Sequence, residues 1–233
     1  MPVRSQRRAS AGRGRSARQA AGRRDWRPVG ARLIVPAGAL VLLIATALAE
    51  PGGPSALVRF PSSGAPTAPS PDQARFIRRV GGVAQRLRTV VGLPPSLVTA
   101  MAINETGWGT SALARRANNY FGIKADVGDG TLGHVVEDTH EVINGRVVSL
   151  RAAFRAYRSL EESTSDLGAF LQANPRYDPI WRHAHDPRAT ALALAGAGYA
   201  TDPNWATKLI ALIDGFDLEA LDAPGWWPNV SPA

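Results

Sequence analysis

Ala102-Ile103-Asn104-Glu105-Thr106-Gly107-Trp108-Gly109-Thr110-Ser111-Ala112-Leu113-Ala114 is the stretch on which the reading of this chain turns. It places one carboxylate, Glu105, at the end of an apolar segment and directly before a glycine-tryptophan-glycine corner. Upstream, Pro94-Pro95-Ser96 is a helix start signal. Leu97, Met101 and Glu105 then follow at intervals of four, so the spacing predicts a helix with all three on one face. The first two make that face apolar, which puts Glu105 at the edge of a core. A carboxyl group held there has its charged form disfavoured, and its pKa rises toward the range of a general acid. Gly107 and Gly109 permit a sharp turn, and Trp108 between them offers a flat wall of the kind that stacks on a sugar ring. The plainer reading of the same residues is a helix ending at a glycine cap with an exposed glutamate, and the spacing admits both.

Working outward, the 233 residues suffice for one sizeable domain with appendages. The net charge of +8 suggests a polyanion binder until it is located along the chain. Residues 1–32 hold ten of the 27 Lys and Arg and one of the 19 acids, so this tail carries +9. The rest, with 17 bases and 18 acids, carries −1. A nucleic-acid partner for the folded part loses its main support, and none is expected. Cysteine is absent, which excludes disulfides, thiolate metal sites and a cysteine nucleophile.

The basic tail, residues 1–32, has almost nothing to bury and reads as disordered and cytoplasmic. Residues 33–49 are seventeen residues without a charge, following ten arginines, which is the pattern of an export signal. We read it as a signal anchor through which the chain meets the membrane once, with the rest extracytoplasmic. Ala47-Leu48-Ala49 also has the small-x-small form of a peptidase site, and cleavage there releases a secreted protein instead. Residues 50–71 are a Pro-rich linker, residues 72–218 the folded domain, and residues 219–233 a loosely ordered tail.

Within the domain, Ser70 and Gln73 form a capping-box pattern around Pro71. Phe76, Val80, Val83, Leu87 and Val90 repeat at helical spacing beyond it, with Arg75, Arg78, Arg79, Arg86 and Arg88 as a solvated face. Ser111 to Ala117 is expected to form a short helix leading into Asn118-Asn119-Tyr120-Phe121-Gly122-Ile123-Lys124. The paired Asn side chains can bond loop backbone or the acetamido group of a ligand. A glycine-rich excursion, Val127 to Gly133, precedes two strand segments, 139–143 and 146–150, that flank Asn144-Gly145 as a hairpin. Thr139, Glu141 and Ile143 share one face of the first strand, where pattern alone makes Glu141 an exposed strand residue. The remainder reads as helical, with a second capping box at Ser159 and Glu162, a helix opening at Pro187, and a last one capped by Asp202-Pro203. In that last helix Trp205, Leu209, Leu212 and Ile213 face inward. His134, His140, His183 and His185 lack a metal-ligand spacing, so no metal is expected.

Taken in order, Asn104-Glu105-Thr106-Gly107-Trp108-Gly109, Ser111-Ala112-Leu113-Ala114 and Asn118 to Lys124 resemble the glucosaminidase family of bacterial peptidoglycan hydrolases. So do Thr139-x-Glu141, Phe154-Arg155-x-Tyr157-x-Ser159, Ser163-x-x-Asp166, Asn174-Pro175-Arg176-Tyr177 and Gly198-Tyr199-Ala200-Thr201-Asp202-Pro203. The similarity runs from about residue 75 to 218. It implies a mostly α (α+β) architecture, a lysozyme-like helical domain with a small β-hairpin lobe over a substrate groove. It also implies hydrolysis of the β-1,4 bond between N-acetylglucosamine and N-acetylmuramic acid in peptidoglycan glycan strands, without a cofactor. By the same resemblance Glu105 is the general acid, Glu141 a second carboxylate in the β-lobe, and Tyr199 an aromatic hydroxyl at the site. Trp108 and Phe121 then line the groove, with Asn118 or Tyr120 near the substrate. The residues suit the chemistry, since glycosidic cleavage needs a protonated acid at the leaving oxygen and a group that stabilises or traps charge at the anomeric carbon. Two rivals share the pattern: a muramidase or lytic transglycosylase on the same fold, and a non-catalytic wall-binding scaffold. The presence of both carboxylates and Tyr199 speaks against the second.

Overall fold

The structure, a computed structural model, describes residues 66–126, 128–143 and 146–223, without the side chains of 140–143, 146 and 147. The basic tail, the apolar run 33–49, most of the linker, Asn144-Gly145 and residues 224–233 lie outside the described residues. No helix among the described residues is long and apolar enough to cross a membrane.

Among the described residues, seven α-helices, two strands and two 3₁₀ segments follow one another. They are α1 (Pro71–Arg86), α2 (Arg88–Val91), α3 (Pro95–Thr106), α4 (Ala112–Ala117), β1 (His134–Ile143) and β2 (Arg146–Arg155). After them come α5 (Leu160–Gln172), the 3₁₀ segment Pro175–His183, α6 (Pro187–Gly196), α7 (Trp205–Gly215) and the 3₁₀ segment Leu218–Asp222. The expected class, mostly helical with a small hairpin lobe, is what the chain adopts.

Helix α3 is the axis of the body. It touches α1, α6, α7 and the Leu218–Asp222 segment, and it is buried on every side, with only Asn104 half-exposed. Leu97, Met101 and Glu105 do share a buried face, but the remaining faces are apolar as well. A helix apolar all round belongs in the middle of a protein. Its first turn has Pro94 before it, which offers no side-chain cap. Asp222 fills that role from the far end of the domain, accepting from Ser96 N at 2.9 Å and from Ser96 Oγ at 2.6 Å. The loose tail expected from residue 219 therefore starts too early: Leu218 and Leu221 are buried and Asp222 caps the central helix.

The Ser70–Gln73 capping box forms, and α1 carries Gly81 and Gly82 without breaking. A Cβ on Gly81 would meet Leu221 at 2.9 Å, so close packing, not flexibility, occupies that position. The helix stops at Arg86, however, and the bend at Leu87 turns α2 so that Val91 is buried and Val90 is 51% exposed. The regular spacing that included Val90 does not survive this bend. At α5 only half of the second capping box exists. Ser159 Oγ accepts from Glu162 N, while the Glu162 carboxylate turns to Arg158 N at 2.9 Å and to the Thr131 hydroxyl.

The strands are twice as long as the pattern around Asn144-Gly145 predicts, pairing antiparallel from His134↔Arg155 to Ile143↔Arg146. Tertiary packing accounts for the extension: Val135 and Phe154, opposite each other, close on Leu113 and Ala117 of α4. Arg116 of α4 and Glu137 of β1 add an ion pair at 3.6 Å. The base of the hairpin is held by buried polar groups. Arg155 and the Tyr157 hydroxyl both donate to Asp166 of α5, at 2.8 and 2.7 Å. Asn119 donates to the carbonyls of Ile123 and Arg155, each at 2.9 Å, and accepts from Phe121 N and Ile123 N. Of the two uses open to the Asn pair, backbone bonding is the one Asn119 adopts.

Candidate active site

Glu105 lies in the last turn of α3, where three residues in succession, Gly107, Trp108 and Gly109, take left-handed backbone angles (φ 54°, 64° and 79°). For glycine this is free, but for tryptophan it is costly, about 1–2 kcal/mol, so the surroundings must hold it. Thr106 does part of this: its hydroxyl donates to Ala102 O at 2.5 Å and accepts from Gly109 N at 2.7 Å. Phe76 does another part, because a Cβ on Gly109 would come within 2.9 Å of its ring. The corner sets the Trp108 ring edge-on between Phe76 and Phe216, with centroids 5.8 and 5.2 Å away. Trp108 as a residue remains partly exposed.

Glu105 itself is 4% exposed. Burial pushes its pKa from 4.5 up to about 7, against the pull of hydrogen bonds from Trp205 and Asn104. Trp205 Nε1 donates to Oε1 at 2.8 Å and Asn104 Nδ2 to the same oxygen at 3.1 Å. Lys208 and Asp202 act on it with opposite signs, and they are themselves paired at 2.6 Å. Near neutral pH this carboxyl is thus poised between its two protonation states, which suits proton donation.

Tyr199 is brought to the same place. Its ring lies 5.1 Å from that of Trp205, and its hydroxyl donates to Phe121 O at 3.1 Å. Burial first, and then the Glu105 charge, raise its pKa well above 10, so it is a neutral donor. A row of rings, Phe170, Tyr177, Tyr199 and Trp205, with neighbouring centroids 5.1–6.1 Å apart, backs the carboxylate.

The other expected residues divide. Tyr120 and Phe121 are buried, at 4% and 1% exposure, with Tyr120 packed on Phe76 beneath Arg79. Asn118, itself left-handed at the end of α4, donates to the carbonyls of Tyr157 and Arg158 at 3.1 and 3.2 Å, fastening the exit of β2. Glu141 sits in β1 opposite Val148, on the strand face shared with Val135, Glu137 and Thr139. Its side chain is among those not described. His134 pairs with Asp129 at 2.7 Å.

Three contributors were invisible from the chain alone. Trp205 reads there as an inward-facing core residue, which it is, but its N–H also serves a group 100 positions away. The available signal was general: a buried indole N–H needs an acceptor. Asn104 precedes Glu105 directly, and nothing in the pattern marks it as a donor. Asp202, expected only as a helix cap, accepts from Asn204 N at 2.9 Å and also holds Lys208 beside Glu105.

Residues 81–218 match the family model described as mannosyl-glycoprotein endo-beta-N-acetylglucosaminidase. Exo-glucosaminidase LytG of Bacillus subtilis is 37% identical over 156 residues, covering 65% of this chain and 54% of the relative. Peptidoglycan hydrolase FlgJ of Salmonella typhimurium is 39% identical over 157 residues, covering 65% and 48%. The chain thus spans about half the length of these curated relatives. The catalytic domain of the Listeria monocytogenes autolysin Auto superposes with a TM-score of 0.56 at 30% identity, covering 67% of this chain and 90% of that one.

Proposed function

The chain belongs to the glucosaminidase family of peptidoglycan hydrolases, and we propose that it cleaves the β-1,4 bond between N-acetylglucosamine and N-acetylmuramic acid in glycan strands. One observation carries the reading: a single carboxyl group, buried at the end of the central helix, with its pKa raised to about 7. Glu105 is the general acid. Its O–H bond breaks as the departing sugar oxygen takes the proton, and the carboxylate keeps the electron pair. Positive charge then develops at the anomeric carbon.

Glu141, carried by the hairpin, answers that charge in one of two ways. It activates the water that adds to the anomeric carbon, or it assists attack by the substrate's own acetamido group. Tyr199 orients the acetamido group or steadies the charge. The ring of the partly exposed residue Trp108 contacts a sugar face, while Asn118, Tyr120 and Phe121 shape the wall from beneath. Residues 33–49 tether the domain outside the membrane, and the mass of the mature N-terminus tests this: a chain beginning at Glu50 overturns the tether.

Digestion of purified peptidoglycan with wild type beside Glu105→Gln, followed by mass spectrometry, tests the enzyme. Reducing N-acetylglucosamine ends that vanish with Glu105→Gln support the reading. Reducing N-acetylmuramic acid ends would assign a muramidase, anhydro ends a transglycosylase, and undiminished cleavage by Glu105→Gln would remove Glu105 from the chemistry.

A further inference from the structure

A carboxyl oxygen has two in-plane lone-pair positions, and Oε1 of Glu105 receives two donors, Trp205 Nε1 at 2.8 Å and Asn104 Nδ2 at 3.1 Å. The indole N–H can only donate, so no alternative assignment of protons turns this contact round. With both positions on Oε1 taken, the acidic proton has to sit on Oε2. Among the described residues both donors to this carboxyl reach Oε1 and none reaches Oε2.

We propose that Trp205 is a positioning residue for the proton donor: with Asn104 it occupies Oε1 of Glu105 and so assigns the transferable proton to Oε2, the oxygen left without a donor. The indole is well fixed for this. It is 1% exposed, stands at the first position of α7, and packs against Tyr199. The role is kinetic as well as electrostatic, since a proton distributed over both oxygens points at the leaving group only part of the time. Among the described residues the charged or titratable groups that bear on Glu105 are Lys208 and Asp202, which flank it as a pair, and Tyr199. The two neutral donors on Oε1 pull toward ionisation ahead of Lys208, while burial and Asp202 oppose them. The inference rests on the reading of Glu105 as the acid for its catalytic meaning, but the pinning itself can be measured without turnover.

The experiment is a carbon-13 titration of the Glu105 carboxyl in the full chain, assigned by comparison with Glu105→Gln, for wild type, Trp205→Phe and Asn104→Ala. Removing a donor to the ionised form raises the midpoint, so both variants should titrate at higher pH than wild type, Trp205→Phe by more. The alkaline limb of the pH–rate profile on peptidoglycan should move with them. kcat for Trp205→Phe should fall about tenfold or more, within the range that proton transfer supplies, with KM little changed. A midpoint that stays put or falls in Trp205→Phe, with its thermal transition retained, overturns the proposal. If Trp205→Phe fails to fold, Asn104→Ala, at a half-exposed position, decides by the same criterion. Wild type inactive on peptidoglycan but shifted as expected would reject the glycosidase reading and leave the pinning standing.

Discussion

Replacing Glu105 by Gln should make the protein more stable at pH 8 while removing its activity. The wild-type carboxyl titrates near 4.5 in an unfolded chain and near 7 in the fold, because burial disfavours its charge. Below pH 4.5 both states hold the proton and Glu105 costs nothing. Between 4.5 and 7 the folded chain keeps a proton that the unfolded chain has released, so stability falls as pH rises. Above 7 the full penalty is present, about 3 kcal/mol for a displacement of this size. The glutamine amide that replaces the carboxyl would be neutral throughout, has the same shape, and keeps an oxygen for Trp205 and Asn104. The variant should therefore match wild type near pH 4 and exceed it by up to about 3 kcal/mol at pH 8. For a domain of this size that is a rise in Tm of roughly 6–12 °C. Paired denaturant or thermal melts at pH 4, 6 and 8 measure it, and subtracting wild type from variant cancels other titrating groups such as Asp222. A difference that is the same at all three pH values would refute the assignment of a buried, high-pKa carboxyl here.

Asp166→Ala should cost about 2–4 kcal/mol in denaturant unfolding, since it leaves the Arg155 guanidinium and the Tyr157 hydroxyl without their shared acceptor. The figure sits toward the lower part of the range for a buried pair because Asp166 keeps 27% of its side-chain surface. Gly109→Ala puts a methyl group 2.9 Å from the Phe76 ring at φ +79°, and should lower stability by roughly 1–2 kcal/mol in thermal melts. The same change should reduce activity by shifting Trp108, and an unchanged melt would mean the corner is not strained. Glu141→Gln should abolish turnover if Glu141 activates water, and reduce it less if the substrate's acetamido group takes part, as kcat on purified glycan strands will distinguish.

How far the chain could be read before folding depended on the range of each interaction. Local spacing located α1, α3, α4 and the hairpin, because capping residues, helical periodicity and turn residues act within about four positions of one another. It missed the bend at Leu87 and the extra length of β1 and β2, which follow from packing against other elements. It also misread residues 219–222, where Asp222 becomes useful only because α3 begins in a proline-led turn with no cap of its own.

The site divides along the same line. Glu105 is recognisable from sequence because its helix, its glycine corner and its aromatic neighbour are contiguous, so the presence of a carboxylate at the end of an apolar helix is a property of the chain itself. What that carboxylate is worth chemically belongs to the tertiary structure. Its pKa near 7 comes from burial by distant segments, and its hydrogen bond comes from an indole 100 residues away. Desolvation and hydrogen bonding act through space and carry no signature along the backbone, so only the folded arrangement could turn Glu105 from a glutamate in a motif into a buried carboxyl with a raised pKa, held by one oxygen.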